Sequence, residues 1–133
     1  MNQTYNVTLS STFDQAETIP DFVDKIAGEC GLDEDPSETF KLILSEAVTN
    51  AIVHGNKENP GKSVHIKVEV TENSILAEVK DEGEGFEPED KKDPLAEENL
   101  MDTGGRGIFL IKQFSDHMEF KENGTLLSFR VDL

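Results

Sequence analysis

Five stretches of this chain alternate apolar and polar residues, three repeat their apolar residues at helical spacing, and the order in which they come admits few folds. Tyr5, Val7 and Leu9 alternate along a first strand with one buried face. Phe22, Val23, Ile26, Ala27 and Cys30 recur at helical spacing until Gly31, which stops the run as a glycine just past a helix end does. Asp35-Pro36-Ser37-Glu38 reads as the start of a second helix, with Asp35 in the cap position, Pro36 first in the helix and Glu38 reaching back as in a capping box. That helix runs to about Gly55, with Phe40, Ile43, Leu44, Ala47, Val48 and Ala51 as its core stripe. Val64, Ile66, Val68 and Val70, then Ile75, Ala77 and Val79, form two strands about a turn at Glu72-Asn73. Ile108, Phe109, Ile111 and Phe114 mark a short third helix, and Met118 to Phe120 with Leu126 to Val131 form a hairpin turned at Asn123-Gly124. Strands and helices that do not strictly alternate disfavour a doubly wound fold. They predict an α/β (α+β) two-layer sandwich, a mixed, largely antiparallel sheet covered on one face by helices.

With 133 residues, 35 % of them hydrophobic, the chain fits one domain spanning 1–133 and one core. No apolar run is long enough to span a bilayer and no basic-then-apolar leader follows Met1, so a soluble, cytoplasmic protein with no membrane partner is expected. The lone Cys30 excludes an internal disulfide, and its place on an apolar helical stripe predicts a buried core thiol. A formal net charge of −16, from 28 acidic against 12 basic residues, sets long-range repulsion against a nucleic-acid backbone and excludes direct DNA or RNA binding. Acidity is densest from Asp81 to Glu98, where nine carboxylates face two lysines. The surrounding segment 83–104 has no sustained periodicity and is too long for a mere connector, which marks it as functional or disordered.

Three blocks carry the candidate chemistry. On the second helix Glu46, Asn50 and His54 are spaced four apart and fall in one row, so they can face one cleft. Asn50 offers a neutral oxygen of the kind Mg²⁺ accepts beside phosphates and water, and Glu46 one turn earlier can take a proton from a hydroxyl. The plainer alternative is an exposed Glu and Asn on a surface helix, with His54 structural near its end. Asp81 ends a strand ahead of Gly83 and Gly85, which let backbone approach a flat ligand while the carboxylate accepts from an exocyclic amine, as adenine offers. An acidic β-turn reads the same way. Gly104-Gly105-Arg106-Gly107 opens a helix, where free N–H groups, the positive end of the dipole and a guanidinium together attract phosphate, though an ordinary helix start has the same form.

Taken together, in this order, the blocks resemble the N box and the two glycine boxes of the GHKL (histidine-kinase-like) ATPases. The short chain with Glu46-x-x-x-Asn50-Ala51-x-x-His54 and Gly104-Gly105-Arg106-Gly107 is similar to the anti-sigma-factor serine-protein kinases among them, over nearly its whole length. The resemblance implies ATP and Mg²⁺ as cofactors, Glu46 as catalytic base, Asn50 as Mg²⁺ ligand, Asp81 as adenine reader and 83–104 as an ATP lid ending in the phosphate-binding Gly104, Gly105, Arg106 and Gly107. Gly124-Thr125 matches the last, weaker box, which would put Thr125 near the adenine. It further implies a serine kinase that holds a sigma factor inactive and phosphorylates an anti-anti-sigma antagonist, usually as a homodimer. Two other readings stand beside it. A two-component histidine kinase would need a phosphoacceptor on a dimerisation helix, whereas His54, His65 and His117 fall in the core elements. A nucleotide-gated binding module would have no need of Glu46 as a base.

Overall fold

The computed structural model describes residues 2–83 and 103–133, with side chains in the second stretch from Gly107 onward. Strand β1 (Gln3–Ser10) leads through a single helical turn, α1 (Phe13–Ala16), into α2 (Ile19–Cys30) and α3 (Glu34–Asn50), which ends in a π-helical turn (Ala51–Gly55). Strands β2 (Ser63–Val70) and β3 (Ser74–Lys80) follow, then α4 (Thr103–Phe114), β4 (His117–Lys121) and β5 (Leu126–Asp132). The sheet order is β1-β2-β3-β5-β4.

All pairings among the described strands are antiparallel, so the expected two-layer α+β sandwich is found, with a sheet more uniform than "mixed". Register explains the layering. Val7, Ile66, Val79, Leu127 and Phe120 stand opposite one another across the five strands, as do Tyr5, Val68, Ala77, Phe129 and Met118. These apolar rows face the helices, while the row Asn6, Lys67, Glu78, Ser128 and Glu119 lies on the other side of the pleat. Phe40 of α3 meets Phe129 of β5 at 5.9 Å between ring centroids, which seats the central helix over the sheet. The predicted α3 stripe of Phe40, Ile43, Leu44, Ala47, Val48 and Ala51 is buried throughout.

Helix ends follow their local chemistry, with one correction. Gly31 takes φ +64° after α2, a conformation open to glycine, and Leu32 N–H closes the end on the Ala27 carbonyl at 3.0 Å. Helix α3, by contrast, starts at Glu34 and not after Asp35, with Asp33 at its cap making no side-chain cap bond. Pro36 therefore sits third in the first turn, where the N–H it lacks would have no partner inside the helix. The capping-box reading thus fails, and Glu38 pairs instead with Lys41 at 3.2 Å. The turn α1 carries too few apolar residues to show a period. Cys30 is half-buried and not fully enclosed, its Sγ 3.5 Å from the Tyr5 hydroxyl. His54, His65 and His117 lie on the expected elements but on their exposed sides.

Candidate active site

Helix α3 carries Glu46 and Asn50 one turn apart, both half-buried near its C-terminal end. Beyond Asn50 the helix widens: Asn56 N–H reaches back five residues to the Ala51 carbonyl at 2.8 Å, and Glu58 N–H reaches Ile52 at 2.7 Å. A four-residue step inside this wider turn no longer keeps the α-helical row, so His54 leaves the line of Glu46 and Asn50 and stands exposed. Lys57 and Glu58 follow with φ of +54° and +57°, left-handed backbone that side-chain-bearing residues rarely adopt. The chain holds this conformation in the loop that leads from the helix end to β2.

What the π turn delivers is Gly55. A Cβ built on Gly55 would run into the Asp81 carboxylate, and one on Gly83 would collide with the Gly55 carbonyl. Two glycines thus let the helix end, Asp81 and the turn after β3 pack backbone to side chain. Asp81 itself is only 9 % exposed. Its N–H donates to the Thr125 carbonyl at 2.9 Å, and its Oδ1 accepts from Gly83 N–H at 2.8 Å. Burial pushes the Asp81 carboxyl above its ordinary value, opposed by the Gly83 N–H and by the charges of Lys80 and Lys62. A carboxylate held at a strand end between two glycines suits a flat donor-bearing ring.

Glu82, the next residue, is clamped from several sides. Its N–H donates to Asn56 Oδ1 at 2.7 Å, and its carboxylate takes Ser63 N–H at 3.0 Å and contacts His65 Nε2 at 2.9 Å. The His65 contact, with Ser63 N–H, holds the Glu82 carboxyl below its usual range. Gly55, Asn56 and Glu82 escape a sequence reading: Gly55 looks like an ordinary helix stop, and the partners of Asn56 lie up to 45 residues away.

At the other end of the site, α4 passes close to Glu46 just beyond its first turn. A Cβ on Gly107 would stand 3.1 Å from Glu46 Oε2, so this glycine leaves the carboxylate its place. Gly104, Gly105 and Arg106 occupy that opening turn, and the N–H groups of Gly104 and Gly105 have no partners within the helix. The Arg106 side chain, Gly85 and the body of the 83–104 segment lie outside the described residues. Thr125 is placed beside Asp81 by its carbonyl. Its hydroxyl, however, donates to the Glu122 carbonyl at 2.8 Å and accepts from Lys80 Nζ at 3.1 Å, so it serves the β4–β5 turn.

The structure therefore strings Glu46, Asn50 and Gly55 along one helix, with α4 at one end and Asp81 at the other. The amino-acid sequence matches the histidine kinase-like ATPase domain over residues 9–131. It is 33 % identical over 111 residues to the serine-protein kinase RsbW of Staphylococcus aureus strain JH9, a match that covers 77 % of this chain and 70 % of the relative. The same protein from strains Newman and MSSA476 matches to the same extent. The chain belongs to the histidine kinase-like ATPase family.

Membership in this family implies ATP use, and the residues present fit such a ligand. A Cβ at Gly55 would run into the Asp81 carboxylate and one at Gly83 into the Gly55 carbonyl, so the two glycines fix where this acceptor stands, while the start of α4 brings a helix N-terminus to the Glu46 end of the same helix. From position 46 to 51 the α-helix rises roughly 7 Å and the π turn carries the chain further to Gly55, so the two ends of the site are separated. Among the described residues no three His, Cys, Asp or Glu side chains gather to hold a metal ion. Asn50, half-buried on α3, offers a neutral side-chain oxygen of the kind Mg²⁺ accepts beside phosphate and water. No described helix is long and apolar enough to cross a membrane.

Proposed function

We propose that this single domain, residues 1–133 with 83–104 as its ATP lid, is an ATP-dependent serine-protein kinase and anti-sigma factor. In this reading it sequesters a sigma factor and phosphorylates an anti-anti-sigma antagonist on serine. The observation that carries the proposal is the placement of Glu46, half-buried on α3 and in contact range of Gly107 at the start of α4. A domain that only changed shape with nucleotide would need the Asp81 cradle and the glycine turn. It would not need a carboxylate where the phosphates end. The names of the relatives, serine-protein kinases, support the same reaction class.

The roles follow from chemistry. Asp81 accepts from the adenine amine, with Gly83 and Gly85 keeping backbone close to the ring. Asn50 supplies the Mg²⁺ ligand, and Gly104, Gly105, Arg106 and Gly107 present donors to the phosphates. Thr125 contributes by anchoring the Asp81 backbone through its carbonyl. ATP, when bound, supplies the phosphoryl group. Glu46 takes the proton of the attacking serine hydroxyl, whose oxygen then bonds to the transferred phosphorus as the bond to the leaving ADP oxygen breaks. The net charge of −16 argues for protein partners over nucleic acid. The proposal places the protein in the cytoplasm as a homodimer, as is usual for the resembled kinases.

Incubation with Mg-ATP and a candidate anti-anti-sigma antagonist protein tests this directly. Phosphoserine on the antagonist, lost with Glu46→Ala, is the expected result. Nucleotide-dependent binding of the antagonist without transfer would establish the non-catalytic, nucleotide-gated regulator instead.

A further inference from the structure

Asn56 is 1 % exposed and lies outside every block that carries the ATP-site chemistry. Its carboxamide nevertheless joins three distant segments. Nδ2 donates to Ser11 Oγ at 2.8 Å, just past β1, and to the Ser63 carbonyl at 2.9 Å, where β2 begins. Oδ1 accepts from Glu82 N–H at 2.7 Å, in the turn after β3. The carbonyl of Ser63 can only accept and the N–H of Glu82 can only donate, so one orientation of the amide satisfies both. Both of its N–H donors and its Oδ1 acceptor are thereby engaged at a buried position.

The bond to Glu82 has the consequence for function. Asp81 is tied at its own N–H to Thr125 and Gly83 closes on Asp81 Oδ1, so the peptide between them sets where the carboxylate points. Asn56 holds that peptide. It can do so because the π turn, with its five-residue reach from Asn56 N–H to Ala51, brings Asn56 inward immediately after Gly55 has packed on Asp81. From this we infer that Asn56 is a positioning residue for nucleotide selection: through Glu82 N–H it fixes the Asp81–Gly83 turn in the orientation that accepts adenine. The inference rests on the ATP-binding reading above.

Three variants test it: Asn56→Ala, Asn56→Ser, whose hydroxyl moderates the loss of buried bonding, and Ser11→Ala, which cuts the same network on the side away from Asp81. Amide exchange at Glu82 is followed without nucleotide, the ATP and GTP affinities by calorimetry with Mg²⁺, and the thermal midpoint for each protein. Both Asn56 variants should speed exchange at Glu82 and cut the ATP-over-GTP preference about tenfold, the scale of one mispaired buried polar group. Ser11→Ala should lower the midpoint yet keep Glu82 protected and the preference unchanged. If Asn56→Ala does not fold, Asn56→Ser gives the same readouts. Asn56 variants that lose midpoint while keeping the wild-type nucleotide preference would overturn the positioning role and leave the ATP reading standing. A wild-type protein that binds neither nucleotide would overturn both.

Discussion

Glu46 and Asp81 are carboxylates from the same acidic chain placed for opposite tasks. Glu46 sits half-buried where α4 begins, and its expected work is to take a proton. Glu46→Ala should keep ATP affinity and lose on the order of 10²–10⁴ in phosphoryl transfer, the usual contribution of a general base. Calorimetry and a radiolabel transfer assay separate the two quantities, and transfer at the wild-type rate would remove Glu46 from the chemistry. Asp81, as the proposed adenine reader, would instead have to stay ionised, while its burial favours the protonated form. The sign follows directly: with its folded value raised, the native state holds a proton that the unfolded chain has released, so acidification through that window protonates Asp81 in the fold first. The ATP-over-GTP affinity ratio should therefore collapse at a pH above the ordinary aspartate range. In Asp81→Asn the ratio should be low and flat with pH, and a wild-type ratio that is flat over the same range would count against the adenine contact.

Between elements, the decisive contacts are made by glycines, and their substitutions should differ. At Gly107 an added Cβ meets the far end of a flexible side chain, Glu46 Oε2, at 3.1 Å, which can give way by a few tenths of an ångström. Alanine is also the better helix former by about 1 kcal/mol. Gly107→Ala should therefore leave the thermal midpoint unchanged or raised while lowering phosphoryl transfer, because the carboxylate moves. Gly83→Ala puts a Cβ onto the Gly55 carbonyl, backbone that cannot step aside, and should lower the midpoint and ATP affinity together. Circular dichroism melts alongside the transfer assay distinguish the two patterns. These glycines also mark the limit of what sequence shows. The apolar stripe of α3 was legible because its period reports burial, and the hairpins because their turn residues are local. The π turn was not, since Ala51 and Ile52 continue the apolar pattern across it. The start of α3 was misplaced because Asp33, Glu34 and Asp35 all suit a helix start, and only the fold selects among them. Asp81 is singled out by its neighbours in sequence, whereas Gly55 and Asn56 act through partners just past β1, at the start of β2 and just past β3 that no spacing announces.

At the scale of the whole molecule, one sheet face buries Phe40 against Phe129 while the chain carries a net charge of −16. Such self-repulsion lowers the stability of the compact state, and it also opposes the approach of ATP, itself a polyanion. In the proposed reading Mg²⁺ matters doubly: it would reduce the ligand's charge before docking and would take the side-chain oxygen of Asn50 once there. A ligand that binds only the folded state stabilises it by about 2.7 kcal/mol at a hundredfold excess over its Kd, on the order of 10 °C in midpoint for a domain of this size. Mg-ATP should produce a shift of that order, and ATP with a chelator a much smaller one. Asn50→Ala should shrink the Mg-ATP shift to the chelator level, because the phosphate charge is then no longer neutralised within the site. Differential scanning fluorimetry at fixed ionic strength measures all three, since added salt alone screens the chain's own repulsion and raises the baseline. Equal shifts for wild type and Asn50→Ala, each dependent on Mg²⁺, would place the metal on another oxygen and leave Asn50 a surface residue of α3.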